Sequence, residues 1–170
     1  MTENKMVLSE SLEDYLEIIL ALERANKVAR VKDIAEKMGV LRGSVTGALK
    51  NLAEKGLINY EPYSFITLTR KGTTIAREIT RRHLVIKNFL HNVLLLNDEK
   101  AEKNACRMEH AMDKTAIDRL VKFIEYIHNC PRTGDDWIKA FVNYYSKDEH
   151  DLDKCNECLE KCVTRFQEGV

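Results

Sequence analysis

The sequence has no stretch of about 18 consecutive apolar residues, so no bilayer-spanning helix is expected. Its first segment, MTENKMVLSE, has no apolar core behind the lysine, which argues against a secretory signal. No internal repeat and no low-complexity linker interrupts the chain. The five cysteines are an odd number, and without an export signal they read as free thiols or metal ligands rather than disulfides. The expected address is therefore cytoplasmic. Neither sign of charge is in excess, since 27 basic side chains balance 27 acidic ones, and the whole-chain value argues against strong nucleic-acid binding.

The average conceals a pattern. Residues 1–26 carry 2 basic and 6 acidic side chains, residues 27–82 carry 12 and 5, and residues 83–170 carry 13 and 16. A basic block thus lies between two acidic ones, and such a block is what a phosphate backbone attracts. At 170 residues the chain suffices for one large domain or two small ones.

Ser9 or Ser11 can cap a first helix to about Asn26, with Leu12, Tyr15, Leu16, Ile19 and Leu22 at helical spacing. Asp14 and Glu17, three apart, share another face. Val31–Met38 reads as a short helix stopped by Gly39, and Ser44–Lys55 as a second one ended by Gly56. Leu57–Tyr60 and Phe65–Leu68 are β-prone runs about a turn at Glu61–Ser64. Helix, turn, helix and hairpin in that order predict a winged helix-turn-helix. Next come a long helix over about Lys71–Leu96, another to about Met112, and one capped by Asp113 that runs to Asn129 before Pro131. A polar loop at Arg132–Asp136 then leads to a helix over Trp137–Tyr145, and a last helix over about Asp151–Phe166. The expected fold class is mostly α: an N-terminal winged helix-turn-helix, then an all-helical metal-binding and dimerisation domain. The expected boundaries are 1–72, 73–131 and a helical extension over 132–170.

In the helix-turn-helix, Ile34, Ala35 and Met38 answer Val45, Leu49 and Leu52, with Ala35 allowing close approach. The outward residues Arg42, Ser44, Thr46 and Gly47 are small or polar enough to enter a major groove, and Lys50 is placed for phosphate. The hairpin and Arg70-Lys71 can follow the neighbouring backbone. The competing reading is a plain three-helix bundle, or a winged helix that contacts protein.

Cys106, Glu109 and His110 stand at i, i+3 and i+4, so thiol, carboxylate and imidazole project from one helix face. That mixture suits a divalent first-row transition metal better than calcium. Three ligands from one helix rarely complete a shell, and His83, Asp14 and Glu17 are available to extend it. A buried cysteine beside a solvated Glu-His pair is the simpler alternative.

These segments together resemble the iron- and manganese-dependent repressors of the diphtheria toxin repressor family, over about residues 9–131. The resemblance is carried by Leu12-Glu-Asp-Tyr-Leu-Glu17, the helix-turn-helix Ile34–Leu52, Arg82-His83 and Ala105-Cys-Arg-Met-Glu-His110. It implies metal ligation by Asp14, Glu17, His83, Cys106, Glu109 and His110. Asp14 and Glu17 match the manganese-responsive branch, whereas Cys106 matches the iron-responsive one. Lys87 and Glu102 fall where the iron branch has a carboxylate and a histidine of an ancillary site, and a lysine cannot replace that carboxylate. The thiolate tilts the expectation toward Fe(II) over Mn(II), with Zn(II), Co(II) or Ni(II) binding in vitro. The resemblance further implies a homodimer on a palindromic double-stranded DNA operator, with the ion as co-repressor. Metal would offset repulsion among Asp14, Glu17 and Glu109, and by linkage metal and DNA would tighten each other's binding. Longer family members append an SH3-like barrel, which is not expected here.

Cys155, Cys158 and Cys162, with Cys130, can enclose a zinc ion or an iron–sulfur cluster. The same i, i+3, i+7 spacing also describes a buried helical stripe, and redox chemistry is a third reading. Ile117, Leu120, Val121, Ile124 and Ile127 form another stripe, broad enough for a subunit interface as well as a core. Two rival functions remain. One is a winged-helix regulator of a small organic ligand. The other is an enzyme with Cys106 as nucleophile and His110 as base, against which stands the lack of any oxyanion-hole or glycine-rich element.

Overall fold

The computed structural model describes residues 8–61, 64–129, 134–147 and 152–168. The chain divides into two compact units, residues 1–82 and 83–170. Among the described residues the secondary structure is helical apart from one two-stranded sheet and a single bridge. This is the mostly α architecture that the sequence pattern predicts.

In the first unit, α1 spans Glu10–Asn26, and its first turn is capped by the Ser9 hydroxyl, which accepts from the Leu12 N–H. It ends on Lys27 in the left-handed region, φ 67°, where the backbone N–H donates to the Glu23 carbonyl. Helices α2 (Val31–Met38) and α3 (Arg42–Glu54) are separated by Gly39, whose φ of 66° is open to glycine at no steric cost. Leu16, Ile19, Ile34, Val45, Leu49 and Leu52 lose all contact with water, joined by Leu57 and Ile66 from the wing. Each such side chain contributes roughly 1.5–3 kcal/mol of transfer free energy, which makes this core the platform for α3.

The wing is shorter than the β-prone runs suggest. Strands β1 (Ile58–Asn59) and β2 (Thr67–Leu68) pair antiparallel, Ile58 opposite Leu68 and Asn59 opposite Thr67. Ile66 turns instead to Ala29, with which it exchanges two backbone hydrogen bonds. The Glu23 carboxylate accepts from the Leu68 N–H at 2.8 Å and so pins β2 to α1.

Helix α4 (Arg70–Asn92) begins where Gly72 crosses the end of α3. A methyl group there would lie 1.9 Å from the Leu57 carbonyl oxygen, so only glycine permits this approach. The helix stops at Asn92, short of the expected Leu96. The Val93 and Leu94 N–H groups both return to the Phe89 carbonyl, and Leu95 adopts φ 56°.

In the second unit the later part of α4 is followed by α5 (Asp98–Met108), α6 (Lys114–Asn129), α7 (Gly134–Lys147) and α8 (Leu152–Glu168). Asn97 caps α5 by accepting from the Lys100 N–H, and Asp113 accepts from the Ala116 N–H at the start of α6. Ile86 and Leu90 pack with Ala101, Ala105 and Ile117. Ala101 and Ala105 are fully buried in this cluster, and Glu102 of α5 reaches His83 and Lys87 of α4. On α6, Ile117 and Ile127 are buried and Leu120, Val121 and Ile124 half-buried, while Phe123 and Tyr126 are exposed. Helix α7 starts at Gly134, so part of the expected polar loop is helical. No described helix is long and apolar enough to cross a membrane.

Candidate metal centre and nucleic-acid face

The recognition face lies on α3. Val45, Leu49 and Leu52 hold one side of this helix in the core, and the remaining side carries Arg42, Ser44, Gly47 and Lys50, all exposed. A Cβ on Gly47 would meet nothing within 4 Å, so this face is low and open. Thr46 is half-buried, and its hydroxyl donates to the Arg42 carbonyl at 3.0 Å rather than standing free. At the start of the helix Leu41 projects into solvent, 81% exposed.

A groove of about 590 Å³ runs beside this face, lined by Arg30, Arg42, Thr46, Lys50, Tyr60 and Phe65 among others. Its cations come from the residue preceding α2 and from α3, and its aromatic rings come from the wing. The Arg30 guanidinium sits 5.2 Å from the centroid of the Phe65 ring. Arg30 and Phe65 are absent from the residues expected from sequence. The signal for Arg30 was its place in the basic block just ahead of α2, but its partner lies 35 positions away and no spacing rule links them.

The second candidate site is built on α4 and the end of α5. His83 Nδ1 lies 2.7 Å from Glu109 Oε2, and His110 Nε2 lies 3.4 Å from Glu109 Oε1. Cys106 Sγ is 4.0 Å from His83 Nδ1, and the cysteine itself is exposed. The Glu109 carboxyl group is only 2% exposed and set between two imidazoles. It also stands at the C-cap of α5, where the unpaired carbonyls already carry partial negative charge. Such a place calls for a cation. In the absence of one, His83 supplies it. The hydrogen bond and charge of Glu109, helped by Glu102, push the His83 imidazolium up to about 9 against the opposing effect of burial.

The helical spacing expected for this trio holds for Cys106 and Glu109 but not for His110. Helix α5 ends at Met108, and the Ala111 and Met112 N–H groups both donate back to the Met108 carbonyl, so His110 lies in the following turn. Glu102 is an addition that sequence reading placed only in an ancillary position. Its Oε1 is 3.2 Å from His83 Nε2, and donor atoms of His83, Glu102 and Cys106 all fall within 4.8 Å of one another. The i, i+4 relation of Glu102 to Cys106 is the signal that would have found it. Lys87 engages Glu102 at 2.9 Å, and this ion pair holds the Glu102 carboxyl below its ordinary range and the Lys87 ammonium above its own.

In the first unit, Asp14 and Glu17 lie half-buried, one turn apart on α1. Of the C-terminal thiols, Cys130 and the side chains of Cys155, Cys158 and Cys162 lie outside the described residues; the last three fall on α8.

The donor set of His83, Cys106, Glu109 and His110 combines nitrogen, oxygen and sulfur, with a buried carboxylate at its centre. It fits a divalent transition ion and is a poor match for calcium, which requires an oxygen cage.

A winged helix-turn-helix with an open basic face, followed by a helical unit that carries such a cluster, defines a metal-responsive DNA-binding regulator. Comparison with known proteins narrows this class. Residues 7–66 match the N-terminal DNA-binding domain of the iron-dependent repressors, and residues 69–138 match their metal-binding and dimerisation domain. The chain is 39% identical over 119 residues to an uncharacterized HTH-type transcriptional regulator of Methanocaldococcus jannaschii, covering 69% of this chain and 95% of that one. It is 34% identical over 140 residues to the HTH-type transcriptional regulator MntR of Bacillus subtilis, covering 82% of this chain and 95% of that one. Among solved structures, that of the manganese regulator SloR aligns with a TM-score of 0.61 and 33% identity, over 71% of this chain. The alignment spans 56% of the SloR chain. This chain belongs to the iron-dependent repressor family, the diphtheria toxin repressor and MntR-like group of metal-dependent transcriptional regulators. These relatives are regulators and not enzymes, which removes the reading of Cys106 and His110 as nucleophile and base.

Proposed function

We propose that the chain represses transcription by binding an operator as a homodimer, with Fe(II) or Mn(II) as co-repressor. The observation that carries this reading is the buried Glu109 carboxylate, held between His83 and His110 with the Cys106 thiol in reach. His83, Cys106, Glu109 and His110 would hold the ion, and the family resemblance adds Asp14 and Glu17 as oxygen donors from α1. When bound, a divalent ion supplies the positive charge that offsets repulsion among these carboxylates. His83 would give up its proton to hold the ion, and Glu109 would pass from pairing with that ring to ligating. If the α1 carboxylates join as the resemblance implies, binding at this set and DNA reading by α3 would become one linked equilibrium. Arg42, Ser44, Thr46, Gly47 and Lys50 would face the major groove, with Lys50 and Arg30 on phosphate. A two-fold dimer implies a palindromic site with half-sites about one helical turn apart. The Cys106 sulfur favours Fe(II) over Mn(II), since manganese prefers an all-oxygen and nitrogen shell.

Selection from a random duplex library by the full chain, in parallel with Mn(II), with anaerobic Fe(II) and with chelator, tests the proposal. Inverted repeats should be enriched only with metal, and the Glu109→Gln variant should enrich none. The same repeats recovered in chelator would refute co-repression, leaving a regulator indifferent to metal.

A further inference from the structure

Lys87 lies one turn beyond His83 on α4, and its ammonium is placed between two carboxylates of α5. It is 2.9 Å from Glu102 Oε2 and 3.1 Å from Asp98 Oδ1. The other oxygen of Glu102 reaches His83 Nε2 at 3.2 Å. His83, Glu102 and Cys106, each offering one donor atom within 4.8 Å of the others, would by themselves make a nitrogen, oxygen and sulfur site for a divalent ion. The ammonium already neutralises that site. An ion that took Glu102 would have to displace the lysine or sit beside its charge.

We infer that Lys87 acts as a resident cation in this half of the cluster, so that the chain binds one divalent ion and not two. The inference rests on the metal-responsive reading above and specifies its stoichiometry. Lys87 is a positioning residue. By occupying Glu102 Oε2 it leaves Oε1 to face His83 Nε2, while the other ring nitrogen, Nδ1, faces Glu109 and Cys106. A histidine whose second nitrogen is held by a carboxylate is fixed in tautomer and orientation, as ligating histidines generally are. The Lys87 side chain is 25% exposed and Glu102 48%, so the ion pair is a rim feature that adds little to folding. Its replacement should spare the fold.

The test uses the full chain stripped of metal and titrated with Mn(II) alone. Bound ions per chain are counted by equilibrium dialysis with elemental analysis, and ion–ion coupling is read by electron paramagnetic resonance. The wild type should bind one Mn(II) with an uncoupled spectrum. Lys87→Glu should bind two, with the line broadening of a coupled pair, and Lys87→Glu combined with Glu102→Gln should return to one. Lys87→Met keeps the aliphatic stem without the charge. It should also admit a second ion, more weakly than Lys87→Glu by tenfold or more, and it serves if the acidic variant is poorly folded. Two ions in the wild type would overturn this inference while leaving the co-repressor proposal intact. So would one ion in both Lys87→Glu and Lys87→Met at wild-type helicity. No bound ion in the wild type would overturn both.

Discussion

The hydrogen bond and charge of Glu109, with help from Glu102, raise the His83 imidazolium to about 9, which favours the protonated ring at neutral pH. Only a neutral imidazole can ligate a metal. With the ring mostly protonated at pH 7, ion binding should release about one proton from it. A thiolate contribution from Cys106 would release a second. The apparent affinity should rise about tenfold for each pH unit between 7 and 8.5 and level off near 9. The proton thus weakens binding at pH 7 by up to about two powers of ten, and by less to the extent that water screens a ring that is 12% exposed. Calorimetric titration of Mn(II) in PIPES and in Tris, buffers of different ionisation enthalpy, counts the protons directly. Glu109→Gln should flatten the pH slope, and Cys106→Ala should lower the count by about one if the thiolate ligates. The same shift acts on the metal-free fold. A raised folded-state value means that protonated His83 stabilises the fold fully below pH of about 6.5, and that this contribution is lost as the pH climbs through about 9. A binding enthalpy that is identical in the two buffers at pH 7 would refute the reasoning.

The other predictions concern the first unit. Arg42→Ala and Lys50→Ala should each weaken binding to the selected duplex and lower the slope of log affinity against log salt by about one, read by fluorescence anisotropy; an unchanged slope for both would remove α3 from the phosphate contacts. Gly72→Ala should destabilise the winged helix by roughly 2–4 kcal/mol, because its methyl group would strike the Leu57 carbonyl, which cannot move without disturbing the turn after α3. A thermal melt within a degree of wild type would contradict that geometry. Glu23→Ala strips the Leu68 N–H of its acceptor and should cost about 1–3 kcal/mol in a denaturant titration, whereas Glu23→Gln keeps a carbonyl oxygen and should cost less.

Local chemistry made most of the fold legible. Asp113 caps the helix that its position predicts, Ser9 is the one of two expected candidates that caps α1, and Gly39 and Gly56 sit at φ 66° and 67° where helices were expected to stop. Ile34, Ala35, Val45, Leu49 and Leu52 form the predicted contact between α2 and α3. These features are set by neighbours within one or two turns. What escaped depends on partners far along the chain or on where a hydrogen-bond ladder ends. The wing strands are short because Ile66 pairs with Ala29, a contact that no alternation pattern encodes. His110 leaves the helix because two N–H groups share the Met108 carbonyl, which i, i+4 counting cannot foresee. At the candidate metal centre, the residue types pointed to Cys106, Glu109 and His83. The part of Glu102 was hidden because it depends on which oxygen Lys87 takes.

If the groove beside α3 takes the phosphate backbone as proposed, the Arg30–Phe65 contact would let a wing residue influence an anion it never touches. A guanidinium held over the ring would have less torsional freedom to lose if a phosphodiester entered the groove. Exchanging the aromatic ring at position 65 for an aliphatic side chain would then weaken the hold on a duplex while leaving the side chains of α3 unchanged.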